Sequence, residues 1–240
     1  MKAYSLLSQS GCQNSADGMP VMDYTQGDAI VAFAQENGLG VRGHVLVWDA
    51  YMSDWFYREG YKNDGAYVDS ETLKARLKSY IDQVVTHYET EFPGVVYCWD
   101  VVNEAVGDGG DYDKEDPRHI RLTRSGTENM FRTIIGPDYV EFSFACARET
   151  VEKLQAKNPD VSIDLFYNDY NTFYDDKRNA VIELVKSINS YEQNADGTYK
   201  KLCDGVGMQS YIGGYGQQAG CMNTQDITRV EKAIAMFYDL

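Results

Sequence analysis

The residues best suited to chemistry lie in one short segment, Trp99–Ala105, which reads Trp-Asp-Val-Val-Asn-Glu-Ala. Its apolar part predicts a buried strand, and Asn103 and Glu104 follow at the carboxyl end. A carboxylic acid in that place can protonate a glycosidic oxygen, while the neighbouring amide binds a sugar hydroxyl. The Asn-Glu pair alone is equally compatible with a helix-start carboxylate or a salt bridge at the rim.

Polar and aromatic side chains also end three other apolar runs. His44 and Trp48 are four residues apart, so both lie on the same side of a strand. Tyr170 belongs to the polar-aromatic cluster that ends a third run, and Gln209 and Tyr211 end a fourth. Such side chains with few competing charges form a neutral cleft with aromatic walls, which favours sugar chemistry over phosphate chemistry.

Alternating strands and helices must position these side chains. Four near-continuous apolar runs predict buried parallel strands at Gly40–Trp48, Val95–Asn103, Ser162–Asn168 and Gly205–Tyr211. Helical periodicity predicts a helix over Gln26–Asn37 and further helices that begin near Asp69, Asp138, Asp175 and Thr224. Strand–helix alternation implies a parallel sheet.

Two architectures fit this alternation, an open doubly wound sheet and a (β/α)8 TIM barrel. No glycine-rich phosphate fingerprint follows a strand, which weakens the nucleotide-binding version. The polar and aromatic side chains at the carboxyl end of each strand are typical of the barrel, although an open sheet also binds ligands at that edge. At roughly 50 residues per strand–helix unit, eight units need about 400 residues. We therefore expect an α/β TIM barrel of about five units, with residues 1–240 forming a single domain truncated at both ends.

Composition narrows the possible partners. The 240 residues carry a formal net charge of −15, which repels nucleic-acid phosphates and anionic membrane surfaces. No apolar run approaches the ~20 residues that span a bilayer. Aromatic residues make up 13% of the chain, including 19 Tyr, which suits sugar stacking but equally suits a Tyr-rich core. A neutral polymer is the partner that fits best.

Neither a cofactor nor a metal is expected. The five Cys lack metal-ligand spacing. Four aspartates, Asp108, Asp111, Asp113 and Asp116, could surround Ca²⁺, but their spacing departs from the EF-hand pattern. We therefore interpret this segment as a solvated loop.

Together these segments resemble glycoside hydrolase family 10, the (β/α)8 endo-β-1,4-xylanases. Four motifs match in order. They are Gly43–Trp48 with the following Asp54-Trp55-Phe56, then Trp99–Ala105, Asn168–Asn171 and Gly207–Ser210. Met1-Lys2 is similar to the tail of a strand motif in which the Lys binds xylose.

The resemblance implies a function and a set of site residues. It implies retaining hydrolysis of β-1,4-xylosidic bonds in xylan and xylo-oligosaccharides, with two carboxylates roughly 5–5.5 Å apart. Glu104 would be the general acid/base, and Asn103 would contact the sugar 2-hydroxyl. The glycone subsites would be lined by Lys2, His44, Trp48, Tyr170 and Gln209. Because a polymer cannot enter a cell, we expect an extracellular enzyme, with carbohydrate-binding modules as possible additions outside this chain.

Several positions depart from the family pattern. The nucleophile Glu is expected on a strand beyond Leu240, so the 240 residues alone are expected to be inactive. Tyr211 stands where the family usually has a His that contacts the nucleophile, and Asp49 and Tyr51 replace a usual His and Gln. Two alternatives remain open: another retaining β-1,4-glycanase, such as a cellulase or mannanase, and a non-catalytic glycan-binding remnant.

Overall fold

The computed structural model describes residues 2–209 and 224–240, with side chains from residue 227 onward in the second range. The helices are α1 (Gln9–Gln13), α2 (Thr25–Glu36), α3 (Ser70–Glu91), α4 (Met130–Ile134), α5 (Tyr139–Lys157), α6 (Asp175–Ile188) and α7 (Thr224–Tyr238). The strands are β1 (Val41–Val47), β2 (Val96–Asn103), β3 (Thr123–Arg124), β4 (Thr127–Glu128), β5 (Asp164–Tyr170) and β6 (Gly205–Gln209). Short 3₁₀ helices cover Ala3–Leu6, Asp54–Tyr57 and Glu59–Tyr61.

Four strands form a parallel sheet in the order β1-β2-β5-β6, and helices connect them. Strand order follows chain order, with α3, α5 and α6 as crossovers, as in successive units of a (β/α)8 barrel. Within residues 2–209 and 224–240 this sheet has four strands and does not close. The short β3 and β4 form a separate antiparallel ribbon in the connection between β2 and α5.

The predicted strands are present, with bounds shifted by one or two residues. The largest shift is at β5, which spans Asp164–Tyr170 and not Ser162–Asn168. Val161 and Ile163 are buried, but they precede the strand, so the apolar run starts earlier than the sheet pairing. The predicted end of the last strand at Tyr211 lies outside the described residues. Ala3–Leu6 forms a 3₁₀ helix directly after Lys2.

The longest crossover helices pack side by side over the sheet. Asp69 caps α3 by accepting a hydrogen bond of 2.7 Å from the Thr72 backbone N–H, as its sequence position predicted. Lys78 of α3 pairs with Glu149 of α5, and Glu149 also accepts from Lys153 at 2.8 Å. No helix in the described residues is long and apolar enough to span a membrane.

One glycine brings the backbone of β1 close to the largest buried side chain. A Cβ added at Gly43 would lie 2.2 Å from Cε3 of Trp99, a fully buried residue of β2. Only glycine therefore lets the Trp99 ring lie flat against β1. This contact fixes β1 against β2 below the ends that carry His44 and Glu104.

Candidate active site

Glu104 follows β2 directly and is held at both carboxylate oxygens. Its Oε1 accepts a hydrogen bond of 3.0 Å from Gln209 Nε2, and its Oε2 accepts one of 3.0 Å from Arg124 Nη1. The residue is buried, and its backbone has a φ of 56°, which is uncommon outside glycine. Its N–H donates to the Asn168 carbonyl at 2.9 Å. The carboxylate is therefore oriented before any substrate binds.

Arg124 arrives from the β3–β4 ribbon and contacts a second carboxylate. Its Nη2 lies 3.2 Å from Asp49 Oδ1 and 3.0 Å from the Glu104 carbonyl oxygen. The Asp49 side chain is only 3% exposed. Burial raises the pKa of the Asp49 carboxyl, and the Arg124 charge opposes that rise. One guanidinium thus bridges two acidic side chains.

Asn103 belongs to an amide network at the ends of three strands. Its Oδ1 accepts from Asn168 Nδ2 at 2.7 Å and from Gln209 Nε2 at 3.1 Å. Gln209 must present its amide nitrogen here, because the same group also donates to the Glu104 carboxylate. Asn103 therefore presents its oxygen to this network. Its buried Nδ2 has no hydrogen-bond partner in the described part of the chain.

Three of the five side chains predicted to line the glycone subsites, Lys2, His44 and Trp48, lie together with Tyr51. The ring centroids of His44 and Trp48 are 5.9 Å apart, and those of Trp48 and Tyr51 are 4.5 Å apart. Lys2 Nζ lies 5.0 Å from the Tyr51 ring centroid and 5.9 Å from that of Trp48. His44 is oriented by Asp100, whose Oδ2 is 2.8 Å from His44 Nδ1. The result is an aromatic surface edged by an ammonium group.

A cavity of about 520 Å³ connects this aromatic surface to the acid/base candidate. Its lining residues are Trp48, Asp49, Ala50, Tyr51, Glu104, Arg124, Ser125, Thr127 and Glu128. Ligand sites of α/β barrels lie at the carboxyl ends of the strands, where this cavity is found. Its mixed apolar and polar walls suit a pyranose, which offers flat apolar faces and hydroxyl edges.

Tyr170 occupies a different part of the site from the other predicted glycone residues. Its hydroxyl donates to Asp108, and Lys177 Nζ lies 3.7 Å from its ring centroid. Lys177 also contacts Asp108 at 3.0 Å and the fully buried Asp169 at 2.8 Å. The role of Tyr170 at a glycone subsite stays a prediction.

The acidic segment after β2 is only in part the solvated loop that we predicted, because Asp113 is exposed but Asp108 and Asp111 form ion pairs. Asp108 pairs with Lys177 and Arg121, and Asp111 also pairs with Arg121. Nearby cations, Lys177 and Arg121 among them, hold the pKa of the Asp108 carboxyl below its usual value despite its burial. Ion pairs of Asp108 and Asp111 therefore attach this segment to Arg121 and to Lys177 of α6. The described residues contain no cluster of three or more His, Cys, Asp or Glu side chains placed to hold a metal ion.

Similarity to known proteins shows the family of this chain. A family model described as Glycosyl hydrolase family 10 matches residues 1–240. The chain belongs to this family. The TIM-barrel class, expected over the open doubly wound sheet, is thereby confirmed, and the four-strand sheet corresponds to consecutive units of that barrel.

Curated family members are similar over most of the chain. A putative endo-1,4-beta-xylanase of Caldicellulosiruptor saccharolyticus is 37% identical over 213 residues, which are 89% of this chain and 59% of the relative. Endo-1,4-beta-xylanase A of Thermotoga neapolitana is 37% identical over 99% of this chain and 18% of its own length. The chain thus spans less than two thirds of these relatives.

A solved structure shows the same fold. The CBM22-1–GH10 modules of a Clostridium thermocellum endo-1,4-beta-D-xylanase, complexed with xylohexaose, match with a TM-score of 0.78 and 26% identity. The match covers 99% of this chain and 42% of that one. The resemblance seen in the motifs therefore extends to the backbone.

Sequence reasoning missed two side chains that contact the candidate centre. Arg124 lies in a polar connection without helical or strand periodicity, and nothing in its neighbourhood distinguishes it from a solvated residue. Asn168 was recognised as part of a family-10 motif, but its bond to Asn103 follows from the β2–β5 register, which pairs these two residues. Tyr211 falls outside the described residues.

Proposed function

We propose that this chain carries the acid/base half of a retaining endo-1,4-β-xylanase active site, with Glu104 as the general acid/base. The observation that carries the proposal is the Glu104 carboxylate itself. It is buried at the carboxyl end of β2, oriented by Gln209 and Arg124, and lines the same cavity as Trp48. The family and the names of the relatives support xylan as the substrate.

The reaction uses Glu104 twice. In the first step its protonated carboxyl gives a proton to the glycosidic oxygen as a second carboxylate attacks the anomeric carbon. In the second step the Glu104 carboxylate takes a proton from the water that cleaves the glycosyl–enzyme bond. We propose, from the family pattern, that the nucleophile is a Glu beyond Leu240.

The acidic side chains whose charges act on Glu104 are poor nucleophile candidates. Asp49 is occupied by Arg124, and Asp169 is fully buried against Lys177. A nucleophile must instead present a free oxygen to the sugar face opposite the leaving group. We therefore assign both aspartates a structural role in the site and not the role of nucleophile.

Xylose chains are proposed to bind along the surface formed by Lys2, Trp48, His44 and Tyr51, with Asn103 at the cleavage subsite. Since xylan is too large to enter a cell, we also propose that the enzyme acts outside it. Detection of the protein in the culture medium would support this location, and its retention in the cytoplasm would contradict it.

Hydrolysis assays test the role of Glu104. They use the intact protein, meaning these residues together with the strand beyond Leu240 that is proposed to carry the nucleophile. Glu104→Ala is expected to lower the initial rate on soluble xylan by several orders of magnitude, with partial recovery on an aryl xylobioside that has an acidic leaving group. Glu183→Ala, which removes an exposed carboxylate paired with Lys186 on α6, is the matched control. Faster cleavage of cellulose or mannan than of xylan would favour another glycanase, and binding without cleavage would favour a glycan-binding remnant.

A further inference from the structure

The contact between Arg124 and Glu104 raises a chemical difficulty. A guanidinium 3.0 Å from a carboxylate stabilises its ionised form. A general acid must hold a proton when the glycosidic bond breaks, so this cation opposes the first step. It supports the second step, in which the carboxylate acts as a base. The site therefore requires a group that limits the stabilisation of the ionised Glu104 carboxylate by Arg124.

Asp49 is placed to offset the positive charge of Arg124. Its two oxygens lie 3.2 and 3.4 Å from Arg124 Nη2 and Nε, on the same guanidinium that contacts Glu104. The side chain is 3% exposed, so solvent screens its charge weakly. An Asp49–Arg124 pair has no net charge, and Glu104 consequently faces a dipole and not an isolated cation.

Charged groups on the other elements around Glu104 are either paired or exposed to solvent, as is Glu128 of β4, which lines the same cavity. Arg121 donates from Nε to the Glu104 carbonyl at 3.2 Å, but its terminal nitrogens pair with Asp108 and Asp111. Asp169 of β5 is balanced by Lys177. The charge of Asp49 also acts on the phenols of Tyr57 and Tyr139, whose pKa values burial raises, so both stay neutral in an ordinary assay. Gln209 is uncharged.

We propose that Asp49 and Arg124 are paired positioning residues that set the pH range over which Glu104 keeps its proton. This inference rests on the proposed function, because it concerns the acid/base step. Each single substitution should shift that range in its own direction. Asp49→Asn leaves the full guanidinium charge on Glu104, so the proton leaves at lower pH. Arg124→Gln removes the cation and leaves the Asp49 charge, so the proton is kept to higher pH.

The test is the pH profile of kcat/KM for the intact protein on xylotetraose, whose sugar leaving group departs only with a proton from the general acid. Its alkaline limb is expected to move down by about one pH unit in Asp49→Asn and up by about one unit in Arg124→Gln. The double variant, in which both charges are removed, should return to within about a third of that shift from the parent. Asp54→Asn, which removes the acid from the exposed Asp54–Arg58 pair, is the matched control and should leave the limb in place.

A titration that needs no activity separates this inference from the proposed function. The carboxyl carbon of Glu104 is followed by NMR against pH in the intact, ¹³C-glutamate-labelled protein, with the signal assigned by its loss in Glu104→Gln. The same opposite shifts are expected even if xylan proves not to be the substrate. Shifts in one direction for both single variants, or none beyond that of Asp54→Asn, would overturn the inference.

Folding of the variants is checked by thermal melting. If Arg124→Gln does not fold, Arg124→Lys, which keeps the positive charge, takes its place beside Asp49→Asn. The lysine variant should keep the alkaline limb near the parent position while Asp49→Asn still lowers it. A purely structural role for the pair would lower the rates of both variants and leave the limb unchanged.

Discussion

The amide nitrogen of Asn168 donates a hydrogen bond of 2.7 Å to the side-chain oxygen of Asn103. Gln209 donates to the same oxygen at 3.1 Å, so the Asn103 amide has one orientation. Its nitrogen, buried and without a partner among the described residues, is left as a donor beside Glu104. A buried donor without an acceptor costs free energy, which a substrate hydroxyl can offset by accepting the bond.

Asn103→Ala is therefore expected to lower kcat/KM for an aryl xylobioside by about tenfold to a hundredfold, corresponding to ~1–3 kcal/mol for one lost hydrogen bond. The measurement compares the variant with the parent on the ordinary substrate and on its 2-deoxy analogue. The two enzymes should differ little on the analogue, because it lacks the hydroxyl that Asn103 is proposed to bind. An equal loss on both substrates would contradict this role.

Tyr51 is expected to bind sugar by stacking. It is 53% exposed, and its ring lies 4.5 Å from Trp48 and 5.7 Å from Tyr4, centroid to centroid. Tyr51→Ala should weaken xylo-oligosaccharide binding by about tenfold, from ~1–1.5 kcal/mol of lost ring contact. Isothermal titration calorimetry measures the affinity. Tyr238→Ala, which removes a tyrosine that is 90% exposed at the end of α7, is the control and should leave the affinity unchanged.

Lys177 is expected to be essential for stability. Its side chain is 4% exposed, and its ammonium group pairs with both Asp108 and Asp169. Lys177→Met removes the paired cation from the buried Asp169 and leaves Asp108 with Arg121 alone, so it should lower the unfolding free energy by about 3–5 kcal/mol. Lys186→Met removes a lysine that is 58% exposed and should change it by less than about 0.5 kcal/mol. Urea denaturation measures both, and equal effects would refute the assignment.

The α3–α5 contact should make stability depend on acid. Lys153 and Lys78 hold the pKa of the Glu149 carboxyl at about 2, below its usual 4.5. A lowered pKa in the folded state means that the contribution is present above about pH 4.5 and is lost as pH falls towards 2. The difference in unfolding free energy between the parent and Glu149→Gln should therefore shrink across this range. Because the Glu149 side chain is 43% exposed, screening by solvent keeps this free-energy difference small.

Urea titrations at several pH values test this dependence. Glu183→Gln removes a carboxylate that pairs with Lys186 of the same helix; it serves as the control and should run parallel to the parent curve. A Glu149→Gln curve that also runs parallel to the parent from pH 5 to about pH 2 would contradict the prediction.

The sequence predicted the strands because buried parallel strands need continuous apolar runs. It placed β5 two residues early because Val161 and Ile163 are buried without pairing in the sheet. Of the candidate site, it predicted Asn103 and Glu104 because they lie at the end of a strand, and His44 and Trp48 because their spacing places them on one side of a strand. It could not identify Arg124, whose carboxylate partners are 20 and 75 residues away in the chain. Such contacts depend on how a connection folds back, and no local pattern records that.

The β3–β4 ribbon has a practical consequence for engineering. Arg124 reaches the site from a connection that adds two short strands outside the four-strand sheet. Libraries that aim to change the working pH would therefore vary residues 123–128 together with Asp49 and leave the barrel strands intact. Mutational tolerance should be greater in this ribbon than in β2, where the Trp99–Gly43 contact permits no added volume.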